Sequence, residues 1–518
     1  MGSVFLVAGC KDKNSFAPFT FLDPQNDLKQ EVDKHEDKAY EGYIKYGSYA
    51  NYEARGKLNK TVDLGDTYNV LYKYAGQHIL KSTGERKILV IPVQFSDFTI
   101  EDLGVEKEDY LNNLKKAFFG VSYNNKYVSV SEYYNRSSYG KLQVSGSVCE
   151  TFYTFPKSVD SIIKDNYTEQ IVKSAYDDVL NWYKSSFPDF SLNEYRIDPE
   201  DPESDVAIYL VYTYPTELKQ NQKVFWNYTF LDKPFSWSSY SCLNTLAGAP
   251  DAHTLIHEVG HLFGLPDYYP TNESDKDPTG RIDMMDCSVG DHSGLSKMML
   301  DWARPYYVED SCEITIRSLA NYGDLILIND RWNYEGEDEE NGTKAKRTVF
   351  DEYFLIELYT PTGLNYFDAS IGNNKAKLPL LPGIKIYHVD ARLGCFTNET
   401  IKSPKTFIRY ADETIEDMDD PKEKGGVGLA HTNSSTEYTI VDQPKFNLYE
   451  LQLNNVKAIA DQCALDENLF HKDDSFTISE GMFNSQTSTN YKITVKALNY
   501  KEATLKIEKT QTAQKLYY

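Results

Sequence analysis

The sequence predicts an α+β chain, with strands and helices alternating over residues 86–305 and an all-β region following over 306–518. Three observations carry this. Apolar runs short enough for buried strands, such as Ile88 to Phe95, alternate with stretches of helical spacing. Beyond Pro305 the rhythm changes to short apolar stretches recurring between turn residues. The apolar share of 41% and aromatic share of 14% suffice for real cores, and 518 residues suit two or three domains.

In chain order, Val4 to Cys10 resembles the end of a bacterial lipoprotein signal, with Val7-Ala8-Gly9 before a cysteine that would be lipidated. It lacks the basic start and the full apolar length of such a signal. Residues 11–85 are polar, with little periodicity, and read as a tether or pro-segment. They contain no cysteine, so no thiol from this segment can block a metal. The first strand is expected over Ile88 to Phe95 and a helix over Lys107 to Phe119, where Tyr110, Leu111, Leu114 and Phe118 recur at helical spacing. A strand is expected over Leu142 to Tyr153, a long helix over Ser161 to Trp182, and a strand over Asp205 to Tyr212. In the β region the expected strands include Glu313 to Ile316, Leu325 to Ile328, Tyr353 to Ile356, Ile384 to Tyr387 and Tyr491 to Val495, forming a sandwich. Asp412 to Gly426 is a charged loop.

The chemistry concentrates in His257-Glu258-Val259-Gly260-His261-Leu262-Phe263-Gly264-Leu265-Pro266-Asp267. Two histidines four apart on a helix project from one face, which suits two imidazole ligands of a single zinc ion. Glu258 is then placed to act on the attacking water rather than to bind metal. Gly264 is a natural helix end, because a left-handed residue there turns the chain sharply. Asp267 can swing back as the third protein ligand. Pro250-Asp251 marks the helix start, and Leu255, Ile256, Val259, Leu262 and Phe263 supply its apolar face. The alternative, an amphipathic core helix that carries two histidines, leaves a buried glutamate beside two buried histidines at high cost. A twisted sheet with this helix beneath its edge is a zincin-like arrangement.

A glycine-containing extension of HExxH with a third ligand implies a methionine turn below the metal, as in metzincins. Asp283-Met284-Met285-Asp286-Cys287 supplies it, with Met285 favoured over Met284. His253 shares the metal face one turn earlier and reads as a supporting residue rather than a ligand. His388, in a strand, reads as a hydrogen-bonded core histidine. Trp226 and Trp237 are read first as packing residues and second as cleft walls.

These residues resemble the immune inhibitor A-like secreted bacterial metallopeptidases. The resemblance is carried by residues 257–269, by Asp283-Met284-Met285-Asp286, and by His292 to Lys297 running on to Leu300-Asp301-Trp302. Ser129 to Tyr134, Ser138 to Leu142, Glu352 to Glu357 and Pro382 to Asp390 support it, so it spans about residues 86–400. It implies zinc on His257, His261 and Asp267 with Glu258 catalytic. Two departures stand out: Asp286 occupies the position after the turn methionine where the family has glycine, and an aspartate replaces the third histidine of most metzincins. Tyr268, Tyr269 and His292 are the candidates for stabilising the oxyanion.

The expected function is therefore a secreted or surface-anchored zinc endopeptidase acting on proteins or peptides. Its rival is a non-catalytic surface-binding protein with a vestigial site, which the intact Glu258 disfavours. A net charge of -24 excludes nucleic acid and anionic lipid as partners of a basic surface. A membrane link is expected only through a lipid at Cys10. The acidity leaves room for structural Ca2+, with no EF-hand pattern behind it. Seven cysteines show no paired spacing from which a disulfide framework follows.

Overall fold

The computed structural model describes residues 60–61, 79–120, 125–218, 223–230, 233–243, 249–270, 277–308, 310–329, 349–370, 372, 377–395, 406–408, 427–434, 446–454, 463–479, 481–484 and 490–510. Cys10, most of the polar segment 11–85 and the charged loop 412–426 lie outside them.

The first sheet contains β1 (Gly84–Gln94), β2 (Leu142–Val148), β3 (Ile208–Tyr212), β4 (Tyr228–Phe230) and β5 (Phe235–Ser239), in the order β2-β1-β3-β5-β4. Its pairs are parallel except β4 with β5, so the edge strand β4 runs against the rest. In β1, Ile88 and Val90 enter one core while Leu89, Ile91 and Val93 enter a second. A strand buried on both faces reads as a continuous apolar run, which is how this one reads.

Helices cover both faces. α1 (Lys107–Phe119) has the bounds its spacing predicts and buries Tyr110, Leu111, Leu114 and Phe118. α2 (Val130–Ser137) is capped by the Ser129 side chain, which accepts from the Glu132 amide. The long helix expected over 161–182 is instead three pieces: Val159–Lys164, Gln170–Lys173 and α3 (Tyr176–Ser186). Asn166 adopts a left-handed φ of 51°, and Tyr167 closes back onto the Ile162 carbonyl at 3.2 Å, which ends the first piece. Apolar periodicity survived the break because all three pieces face the same second core. Next come α4 (His253–Leu262), α5 (Met284–Cys287), α6 (Gly294–Met299) and, further on, α7 (Tyr366–Ser370).

The later strands are β6 (Tyr306–Tyr307), β7 (Cys312–Arg317), β8 (Leu325–Ile328), β9 (Glu352–Tyr359), β10 (Gly383–Asp390), β11 (Tyr449–Gln452), β12 (Ser475–Ile478), β13 (Tyr491–Leu498) and β14 (Glu502–Lys509). One sheet runs β6-β8-β9-β10-β11, with Lys60–Thr61 pairing on β6; another runs β12-β13-β14-β7. A small three-stranded sheet joins Leu393–Cys395 to Thr406–Ile408 and Val427–Leu429. The strands expected beyond 305 are present and mostly longer than their apolar centres. Before it, the strand expected over Leu142 to Tyr153 stops at Val148, with Tyr153–Thr154 a separate piece, and the one expected over Asp205 to Tyr212 begins at Ile208.

The two larger sheets share a third core. Ile326, Phe354, Ile356 and Ile386 come from one, and Ile314, Ile493, Val495 and Leu505 from the other. Alternate residues of the first of these sheets, among them Leu327, Tyr353, Leu355 and Tyr387, join the core that holds α4. That core therefore draws on residues from both sides of position 305. The architecture is α+β, several sheets with few helices.

No helix among the described residues is long and apolar enough to cross a membrane.

Candidate metal centre

α4 is buried at every residue except Thr254. It starts two residues after Asp251, whose carboxylate accepts from the His253 amide at 3.2 Å. It ends at Gly264, which takes a φ of 90°. The Gly264 amide reaches the His261 carbonyl at 2.8 Å and the Leu265 amide reaches the Gly260 carbonyl at 3.2 Å, a Schellman closure. This turn sends the chain back along the helix and brings Asp267 beside the two histidines.

The convergence is tight. Nε2 of His257 lies 3.0 Å and Nε2 of His261 3.2 Å from the same Asp267 oxygen, Oδ1. Among the described residues these three form the one group of His, Cys, Asp or Glu side chains with ligand atoms within 4.8 Å of one another. Two ligands of a tetrahedral zinc with bonds of about 2.0–2.1 Å sit roughly 3.3 Å apart, so the donors are spaced and typed for that ion.

Both imidazoles are held from behind. Nδ1 of His257 donates to the Met284 carbonyl at 2.8 Å, and Nδ1 of His261 donates to the Leu265 carbonyl at 2.7 Å. Donation through Nδ1 leaves Nε2 as the ligand atom on each ring. Burial opposes charge on His261, but the Asp267 carboxylate raises its pKa to about 9. Burial would raise Asp267, yet His261 and His257 hold it below the usual carboxylate range.

Glu258 is 5% exposed. Burial pushes its carboxyl up, while the His261 and His257 rings and the Thr229 hydroxyl hold it back. Thr229 Oγ1, on edge strand β4, lies 2.9 Å from Glu258 Oε2. No sequence signal marked Thr229, a threonine inside an ordinary Tyr-Thr-Phe strand.

Beneath the helix sits the methionine turn. A Cβ on Gly260 would come within 2.5 Å of Met285 Sδ, so any larger residue between the two histidines would displace that side chain. The Tyr268 amide donates to the Met285 carbonyl at 2.8 Å, and the Asp283 carboxylate accepts from the Met285 amide at 2.7 Å and the Ser293 amide at 2.9 Å. Asp286, which follows Met285, accepts a hydrogen bond from the Thr279 hydroxyl. Burial and the neighbouring Asp277 push its carboxyl well above the usual range.

The three oxyanion candidates separate. The Tyr268 hydroxyl is buried on Ser296 at 2.8 Å. His292 is buried among Tyr133, Tyr134 and Trp302, with no hydrogen bond from either nitrogen among the described residues. Neither is open to solvent. Tyr269 is 37% exposed, stacks at 6.4 Å on His257 and hydrogen-bonds the Asp267 carboxylate.

His253 is no ligand. Its Nδ1 bonds Asp251 and its Nε2 lies 3.1 Å from Asp368 on α7, with Tyr127 stacked on the ring at 3.9 Å. Burial works against protonation, but the two carboxylates raise its pKa to about 10. His388 bonds Glu352 at 2.8 Å, away from the centre. Trp237 is fully buried and stacks on Tyr212 at 4.5 Å, whereas Trp226 is 46% exposed.

The β region reaches the centre through polar contacts. Glu357 of β9 accepts from the Gly294 amide at 2.8 Å, and Asn433 donates to the Tyr268 carbonyl at 2.9 Å. No protein-family model matches the chain, and no curated protein matches it.

Proposed function

We propose that the chain is a zinc-dependent endopeptidase of the immune inhibitor A-like kind, with a zincin-like half carrying the site and a sandwich-like β region after it. The observation that carries this reading is the convergence of His257 Nε2, at 3.0 Å, and His261 Nε2, at 3.2 Å, on Asp267 Oδ1 beside the buried Glu258. His257, His261 and Asp267 would hold the ion. When bound, zinc supplies Lewis-acid polarisation of the scissile carbonyl and makes a water more acidic. Glu258 takes the proton of the attacking water and passes it to the leaving amine. Among the described residues Tyr269 is the one exposed phenol beside the cluster, and it is assigned to the developing oxyanion. α4 packs against β4, the edge of its sheet, which offers an extended peptide a strand to lie along. The secreted or surface-anchored setting rests on the Val4 to Cys10 pattern alone.

The test is hydrolysis of casein or gelatin by the whole chain, with and without a chelator, beside the E258Q variant. Hydrolysis that the chelator stops, and that E258Q lacks while retaining one zinc, supports the reading. A chain that binds zinc and cleaves nothing is instead a surface-binding protein, and E258Q with full activity removes Glu258 from the reaction.

A further inference from the structure

We infer that Thr229 is a positioning residue for Glu258, selecting which carboxylate oxygen receives the proton; this rests on the peptidase reading above. Thr229 Oγ1 lies 2.9 Å from Glu258 Oε2, 3.0 Å from the Glu258 carbonyl oxygen and 2.8 Å from Ser236 Oγ. A hydroxyl carries one proton, and an ionised carboxylate and a carbonyl can only accept. The Thr229 proton therefore goes to Glu258, and Ser236 must donate to Thr229. With Glu258 ionised, donation runs from Ser236 to Thr229 to Glu258, whose Oε2 and carbonyl oxygen share the one proton.

The relay is built into the hairpin. Thr229 and Ser236 are cross-strand partners in the β4–β5 pair, and both are buried. Threonine is stiff at χ1, so its hydroxyl is aimed by the register of the edge strand. Glutamate is the opposite, a side chain with much rotamer freedom to lose. Anchoring Oε2 on a rigid hydroxyl confines the carboxylate and leaves Oε1 as the oxygen that takes the proton. A general base held this way needs no reorganisation when the reaction occurs.

The isosteric T229V variant removes the hydroxyl alone. A hydrogen bond to a charged group is worth enough to predict a fall in kcat of about 10- to 100-fold, with KM and zinc stoichiometry unchanged. T229S restores most of the rate, and S236A gives a smaller loss. A crystal structure of T229V, read independently of activity, should find Glu258 Oε2 displaced from its position on β4. A T229V enzyme within twofold of wild type, T229S as slow as T229V, or an unmoved carboxylate in the variant overturns the inference. If the wild-type chain hydrolyses no peptide, the peptidase reading fails first, and the crystal structure still reports whether Thr229 orients the carboxylate.

Discussion

The Met284 carbonyl oxygen sits 2.8 Å from His257 Nδ1, so the methionine turn sets the tautomer of a histidine 27 positions earlier. The turn is thus a hydrogen-bonding device as well as an apolar floor. Met285 presses on Gly260 from below while Met284 steers the ring above.

Replacing Gly260 with alanine forces a Cβ into Met285 Sδ. Overpacking of this kind costs about 1–3 kcal/mol. G260A should melt several degrees lower and bind zinc more weakly, because relief of the clash moves the turn that holds His257. Unchanged melting and unchanged zinc affinity would show that the close approach is not needed.

The metal-free centre is a proton-binding site. His261 has a pKa raised to about 9, against the pull of burial, by the Asp267 carboxylate. At pH 7 that imidazole carries a proton that must leave before Nε2 can ligate. Zinc uptake at pH 7 should therefore release about one proton, and affinity should fall as the pH drops. Calorimetry in two buffers of different ionisation heat measures the release; equal heats in both would refute it.

Tyr269 hydrogen-bonds the Asp267 carboxylate. Removing a partner that orients a metal ligand typically costs 10–100-fold in affinity or activity. Y269F keeps the ring stacked on His257 and loses the hydroxyl, so we expect a drop of that size in kcat/KM. Wild-type kinetics in Y269F would clear the phenol of any part.

The Asp251–His253–Asp368 contact predicts a pH dependence of stability. His253 is held at about 10, above the roughly 6.5 of an unfolded histidine, so its contribution is complete below pH 6.5 and is lost as the pH rises through 10. Asp251 is held down at about 2, so its share is present above pH 4 and lost only in strong acid. H253Q leaves two buried carboxylates without their cation and should be about 3–5 kcal/mol less stable near pH 6. The gap to wild type should narrow toward pH 10 in urea unfolding. A gap that stays constant with pH would mean that His253 is neutral in the fold.

Much of the centre was legible from local spacing. A four-residue interval of histidines, a glycine able to take positive φ and an aspartate three residues beyond it specify a helix, its end and its return within eleven residues. What was illegible depends on contacts distant in sequence. His253 could be read as supporting, but its partner Asp368 lies 115 residues away. Thr229 lies 29 residues before Glu258 on a strand whose sequence is unremarkable. His292 carries no mark separating it from an exposed histidine until Tyr133, Tyr134 and Trp302 close around it. The helix over 161–182 failed for the reverse reason: its apolar period is real, but the backbone breaks twice beneath it, first at the left-handed Asn166 and again between Lys173 and Tyr176.

Strand β9 faces two ways. Tyr353 and Leu355 look toward the helix bearing the histidines, and Phe354 and Ile356 look toward the terminal sheets. It serves as a party wall between two rooms, so neither can be rebuilt without disturbing the other. A chain cut after residue 305 would lay Leu295, Met298 and Met299 open to water and take away the Glu357 carboxylate that anchors Gly294. Grafting the histidine-bearing half alone onto another scaffold therefore means carrying this partition along, and a substitution as remote as Leu355→Ala should be felt at His257, His261 and Asp267.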